Sequence, residues 1–199
     1  MKKILLPIIL LTSFLLTGCL GFGGDEESTP ADSVNLENQP SKVAYETDAF
    51  LIIIDKDWES IEPDSFTSNI PQETIVGFRN NLKNQIFTAN LNIGRFVVEE
   101  GTSSLDVAKR TISKAKQRLN NFKQTQSENY TLENGENDIE TVIYDFEGKK
   151  TASEEIVHFR QLYVVNNTDA FTITAAYLPS EEESVVNLLD EMLKSFRLR

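Results

Sequence analysis

Asn166-Asn167-Thr168-Asp169 lies between two runs of strand character, residues 154–165 and 170–178. Asn and Asp tolerate left-handed backbone and hydrogen-bond to their own chain, so this stretch predicts a tight β-hairpin. Long strands joined this way imply a largely antiparallel sheet. Such a sheet has an apolar face that other elements must cover.

Two helical stripes supply the cover. Leu105, Ala108, Ile112, Ala115, Leu119 and Phe122 are spaced 3, 4, 3, 4, 3, one face of a helix. Ser103 with Asp106 three residues on predicts its N-cap. Lys109, Arg110, Lys114, Lys116 and Arg118 fall on the other faces and make the most basic stretch of the chain. A second helix closes the sequence. Ser180 and Glu183 predict a capping box, and Val185, Leu189, Met192 and Phe196, widened by Val186 and Leu193, its buried face.

The remaining strands are shorter signals. Phe50-Leu51-Ile52-Ile53-Ile54 reads as a buried strand ended by Asp55-Lys56-Asp57. Residues 74–78, 89–99 and 140–147 read as three more, with a bulge near Gly94 and alternation around Val142, Tyr144 and Phe146. Asn134-Gly135 predicts another turn. Together these elements predict an α+β fold: a largely antiparallel twisted sheet covered by two main amphipathic helices.

The N-terminus is of another kind. Lys2 and Lys3 precede an almost wholly apolar run, residues 4–16. That run is short for a membrane span of about 20 residues and ends in small residues, the order of a secretory signal. Leu16-Thr17-Gly18-Cys19 holds the one cysteine of the chain and resembles a bacterial lipobox. The resemblance implies a diacylglyceryl group on the Cys19 thiol, cleavage after Gly18, and acylation, such as palmitoylation, of the new amine. Residues 20–44 carry three Gly, two Pro and five acidic residues without a helical or strand period, and read as a flexible linker. Twenty-five such residues span about 25–30 Å root-mean-square. The expected organisation is a signal peptide 1–18, a lipidated Cys19 with an acidic linker 19–44, and one globular domain 45–199. Such a protein sits on the extracytoplasmic side of a bacterial cell membrane or outer membrane. Leu20 in place of Asp after the Cys favours the outer membrane where there are two.

Loss of Lys2 and Lys3 with the signal leaves 17 of the 19 basic residues against 31 acidic ones, a formal charge of −14. A chain so acidic is repelled by phosphate backbones and anionic head groups. Nucleic acid is therefore not an expected partner, and the membrane link is expected from the lipid. The size and charge of the domain predict a monomer.

Tyr45-Glu46-Thr47-Asp48-Ala49-Phe50, the β-run after it and Asp57-Trp58 resemble the opening of PsbP-like domains. The middle helix, the late hairpin from Arg160-Gln161-Leu162-Tyr163-Val164-Val165 into Phe171-Thr172-Ile173-Thr174-Ala175, and the closing Met192-Leu193-Lys194-Ser195-Phe196 fit the same pattern. The resemblance covers about 45–199 and implies an α/β/α sandwich. The group it implies holds accessory and binding proteins: a photosystem extrinsic subunit, a Ran-binding protein and bacterial lipoproteins. No functional residue is carried over with it.

Catalytic sets are sparse. His158 is the one histidine, in phase with Ile156 and Arg160 on a strand, and reads as structural. With one Cys and one His, the chain can form no internal disulfide and no metal site of several His or Cys ligands. Ser113-Lys114-Ala115-Lys116 spells S-x-x-K in mid-helix, with Lys150-Thr151-Ala152 a faint K-T-G, a chance match. Glu133, Glu136, Asp138 and Glu140 surround the Asn134-Gly135 turn without EF-hand spacing and read as a solvated acidic turn. Trp58 reads as a core cap or a binding anchor. No catalytic residue, metal ligand or cofactor is assigned. The expected function is a membrane-anchored protein-binding or accessory module. The alternatives are a small-molecule or metal-binding lipoprotein that delivers ligand to a transporter, and a carboxylate-based hydrolase.

Overall fold

The computed structural model describes residues 41–65, 71, 73–81, 86–135 and 138–199. The signal segment, Leu16, Thr17, Gly18, Cys19 and the linker up to residue 40 lie outside the described residues, as does Glu136 of the acidic turn.

The described residues form ten strands, two α-helices and one turn of 3-10 helix, Pro63–Ser65. Strands β1 (Lys42–Glu46), β2 (Phe50–Asp55), β3 (Trp58–Ile61), β4 (Thr74–Asn80) and β5 (Asn90–Val97) precede helix α1 (Ser104–Arg118). Strands β6 (Asn120–Leu132), β7 (Ile139–Lys149), β8 (Val157–Asn166) and β9 (Asp169–Tyr177) follow. Helix α2 (Glu183–Lys194) and strand β10 (Arg197–Leu198) end the chain. Seven strands make one antiparallel sheet in the order β3-β4-β5-β9-β8-β7-β6, and β1-β2-β10 make a second. Helix α1 packs on β7 and β8, whereas α2 packs on β2, β9, β8 and β5. The architecture is the expected α+β sandwich, with α1 on one face of the large sheet and α2 with the small sheet on the other.

The hairpin forms where expected. Asn166 pairs with Asp169 across it, and Asn167 takes φ 55°. Gly135, with φ 63°, turns the chain from β6 to β7. β1 starts at Lys42, so the folded unit takes in three residues read as linker.

Four expectations are corrected. The first helix is shorter than its apolar spacing suggested: Leu119 is its C-cap, Asn121 turns at φ 55°, and Phe122 already belongs to β6. Its inward face is also rotated. Val107 and Ala108 are buried, while Leu105 is 40% exposed, because Ser104 takes the inside place and its Oγ accepts from the Val165 N–H at 3.0 Å. Ser180 does not cap α2. The Glu181 N–H donates to the Leu178 carbonyl in a turn of its own, and the N-cap is Glu182 without a side-chain bond. The bulge opposite Gly94 belongs to β4: Thr74 pairs with Gly94 and Val76 with Ile93, leaving Ile75 as the extra residue.

The core divides between the faces. On the α2 side, twenty buried residues form one cluster, among them Phe50, Phe78, Phe171, Leu189 and Phe196. Phe196 stacks on Phe50 at 5.4 Å and meets Phe171 at 5.6 Å. On the α1 side only Val107, Ala108, Val142, Tyr163 and Ala170 are buried together.

Candidate functional site

Arg160 stands on β8 in phase with Leu162 and Val164, on the sheet face that α2 covers. A guanidinium on an apolar face must find carboxylates. It finds three. Nε donates to Asp190 of α2 at 2.8 Å, and Nη1 grips both oxygens of Asp145 on β7 at 2.9 and 2.7 Å. Nη2 reaches Glu128 of β6 at 2.7 Å. Lys194 adds a second cation, 3.1 Å from Asp190. Burial alone would lower the Arg160 pKa. The charge and hydrogen bonds of Asp145, with Asp190 and Glu128, outweigh it and hold the group above its ordinary value. Burial, and then the charges of Asp145 and Asp190, push the neighbouring Tyr177 hydroxyl up.

The network holds α2 to three strands. It leaves no nucleophile beside a free base, because its carboxylate oxygens are engaged by cations. The Asp106 carboxyl, held by the Ser103 hydroxyl, and the Asp169 carboxyl, held by Arg95, lie below the ordinary range. Neither has the raised value that a carboxylate-based general acid would need.

The other residues singled out in the sequence are dispersed. Trp58 is 7% exposed and belongs to the larger core cluster, so it caps that core. His158 contacts Glu147 at 2.9 Å and meets the Tyr177 ring edge-on. Ser113 is exposed in the middle of α1. At the acidic turn Asp138 accepts from the Asn134 N–H at 3.3 Å and Glu140 from Thr131 at 3.1 Å. No group of His, Cys, Asp and Glu with metal-binding geometry occurs among the described residues.

Two surfaces remain open. Part of the α1-side face of the sheet carries an uncharged polar row: Asn92 pairs with Thr174 and Thr174 with Gln161. Gln161 donates to Thr174 at 2.9 Å and accepts from the Tyr163 hydroxyl at 2.6 Å. The second surface is basic. Lys109, Lys114, Lys116 and Arg118 are exposed on α1. Lys149 and Lys150 join them at the end of β7, because Asn120 pairs with Lys149 and its side chain donates to the Lys150 carbonyl. Beside the first turn of α1 is a solvent-open depression of mixed charge, lined by Glu99, Glu100, Thr102, Asp106, Lys109 and Arg110.

The Arg160 network was not assembled from the sequence, although one signal for it was present. An Arg in phase with Leu162 and Val164 requires partners, and Asp145 holds the same phase on the neighbouring strand.

No family model matches the chain, and no curated protein matches it in sequence. Solved structures do match in fold. Cyanobacterial PsbP (CyanoP) from Synechocystis sp. PCC 6803 is 17% identical with a TM-score of 0.55, over 86% of this chain and 100% of that one. The Ran-binding protein Mog1p of Saccharomyces cerevisiae is 10% identical with a TM-score of 0.52, over 78% and 94%. PA94 of Pseudomonas aeruginosa, a protein of unknown function, is 13% identical with a TM-score of 0.50, over 77% and 94%. The fold is thus PsbP-like.

Proposed function

We propose that this protein is a lipid-anchored, extracytoplasmic accessory module that works by binding rather than by catalysis. The observation that carries the proposal is the order of parts. Leu16-Thr17-Gly18-Cys19 follows an apolar run, a polar segment follows the cysteine, and a PsbP-like fold follows that. Proteins of this fold include one described as Ran-binding, which supports a binding role for the scaffold. Among the described residues no helix is long and apolar enough to cross a membrane. A lipid on Cys19 supplies the attachment: two or three acyl chains, at about 0.8 kcal/mol per buried CH₂, anchor a protein firmly where one chain does not.

The test is Cys19→Ser in cells fed labelled palmitate. The variant should accumulate as unprocessed precursor and take no label. Normal processing and labelling of the Ser variant would overturn the anchor.

A further inference from the structure

The cations of the folded unit are not evenly distributed. Outside α1 and the adjoining end of β7, every described Lys and Arg except Lys56 contacts a carboxylate. Across the outward faces of α1 and the adjoining end of β7, Lys109, Lys114, Lys116, Arg118, Lys149 and Lys150 contact none among the described residues. This happens in a chain with 31 acidic residues, where carboxylates are plentiful.

The arrangement does not serve the helix. Arg110, Lys114 and Arg118 follow one another at i, i+4 spacing, where like charges destabilise. The one acid of α1, Asp106, is engaged in the N-terminal capping box, and only Lys109 and Arg110 lie near enough to add to its field. Lys116 and Arg118 do complement the carbonyl end of the dipole, but Lys109 and Lys114 lie outside the last turn. A local cost with no carboxylate contact among the described residues points to an anion outside the fold.

The surface has the wrong chemistry for a protein interface. Such interfaces are depleted in Lys and anchored by aromatic side chains. This one is mostly Lys, and Leu105 is the one large apolar side chain exposed on α1. A fluid layer of phosphates needs neither pockets nor anchors. It attracts juxtamembrane basic residues additively. The acidic remainder of the domain does not cancel this attraction, because charge is screened over about 8–10 Å at physiological salt. Net charge governs the whole molecule at long range, whereas contact is governed by the face that touches.

We infer that the basic surface of α1 and the end of β7 rests on anionic lipid head groups and turns the acidic remainder of the domain away from them. This inference rests on the lipid-anchored reading, which keeps the domain within about 25–30 Å of the bilayer.

The experiment uses the full-length lipidated protein in vesicles of phosphatidylcholine, with or without phosphatidylglycerol. Lysines are modified with a water-soluble amine reagent and quantified by mass spectrometry. Lys109, Lys114, Lys116, Lys149 and Lys150 should label about threefold less in the anionic vesicles, and high salt should remove the difference. Lys56, beside edge strand β3 at the far end of the sheet from α1, should label equally in both. Equal labelling of the α1 lysines in the two vesicle types would overturn the inference. So would protection by a soluble polyanion or an acidic protein but not by anionic vesicles. Flotation reports the anchor separately. A chain that floats with equal labelling refutes this inference alone, and a chain that does not float refutes the anchor and this inference with it.

Discussion

Helices α1 and α2 meet the same sheet from opposite sides and are held there by different means. Helix α2 shares a cluster of twenty buried residues with the small sheet and is clamped by the Arg160 network. Its end is tied to β2, where the Ile53 N–H donates to Ser195 Oγ at 2.9 Å. Helix α1 belongs to a cluster of only five buried residues, and no ion pair ties it to the sheet among the described residues. Its charges face outward. One helix completes the fold, while the other presents a surface that the fold does not use. Such a division suits a binding module, because a face with little part in stability is free to be shaped by contact.

The largest expected effect tests that asymmetry in the core. Phe196→Ala should destabilise by about 3–5 kcal/mol, because a fully buried ring packed on Phe50 and Phe171 leaves a cavity. Val107→Ala removes two methyl groups beneath α1 and should cost about 2 kcal/mol or less. Urea unfolding of the two variants measures both. Equal losses would break the comparison and mean that α1 is as integral to the core as α2.

A middle-sized effect is expected at Arg160. Replacing it with Ala leaves Asp145, Glu128 and Asp190 facing one another with Lys194 alone to offset them. Removing one partner of a fully buried pair costs about 3–5 kcal/mol, and the 16% exposure of this side chain reduces that to about 2–3 kcal/mol. Asp190→Asn should cost less, since Arg160 keeps two carboxylates. A loss below about 1 kcal/mol for Arg160→Ala would place the network with ordinary surface pairs and leave the apolar cluster alone to hold α2.

The same asymmetry decided how much could be read from the sequence. Strands with one buried face announce themselves by period, so β2, β4, β5, β7, β8 and β9 were legible. Strand β6 was not. Its thirteen residues run along the sheet edge, nearly all of them exposed or half-buried, so NNFKQTQSENYTL carries no alternation to read. The helix boundary failed for a related reason: Phe122 continued the helical spacing although it packs on Phe146 from β6. Individual basic residues of α1 were visible, but that they contact no carboxylate among the described residues was not. Pairing depends on which strands lie side by side, and that also concealed the meeting of Glu128, Asp145, Arg160 and Asp190.

The smallest expected effect lies at the start of α1. The Ser103 hydroxyl accepts from the Asp106 N–H at 3.1 Å and donates to its carboxylate at 2.6 Å. Ser103→Ala should cost about 1 kcal/mol, the usual worth of an N-cap. The Ser103 hydroxyl and then the Ser103 backbone N–H, which donates at 3.3 Å, hold the Asp106 carboxyl pKa below its ordinary value, with Lys109 and Arg110 adding to the effect. A depressed folded pKa means that this part of the stability is fully present above the unfolded value near pH 4 and lost as pH falls through the folded one. The gap between wild type and Ser103→Ala should therefore be constant at neutral pH and narrow in acid, which urea titrations at a series of pH values would show. A gap that stays constant into strong acid would mean that the neutral hydrogen bond to the backbone supports the cap by itself. The single acid of α1 would then contribute nothing to holding the helix, and its outward charge would be set by the bases alone.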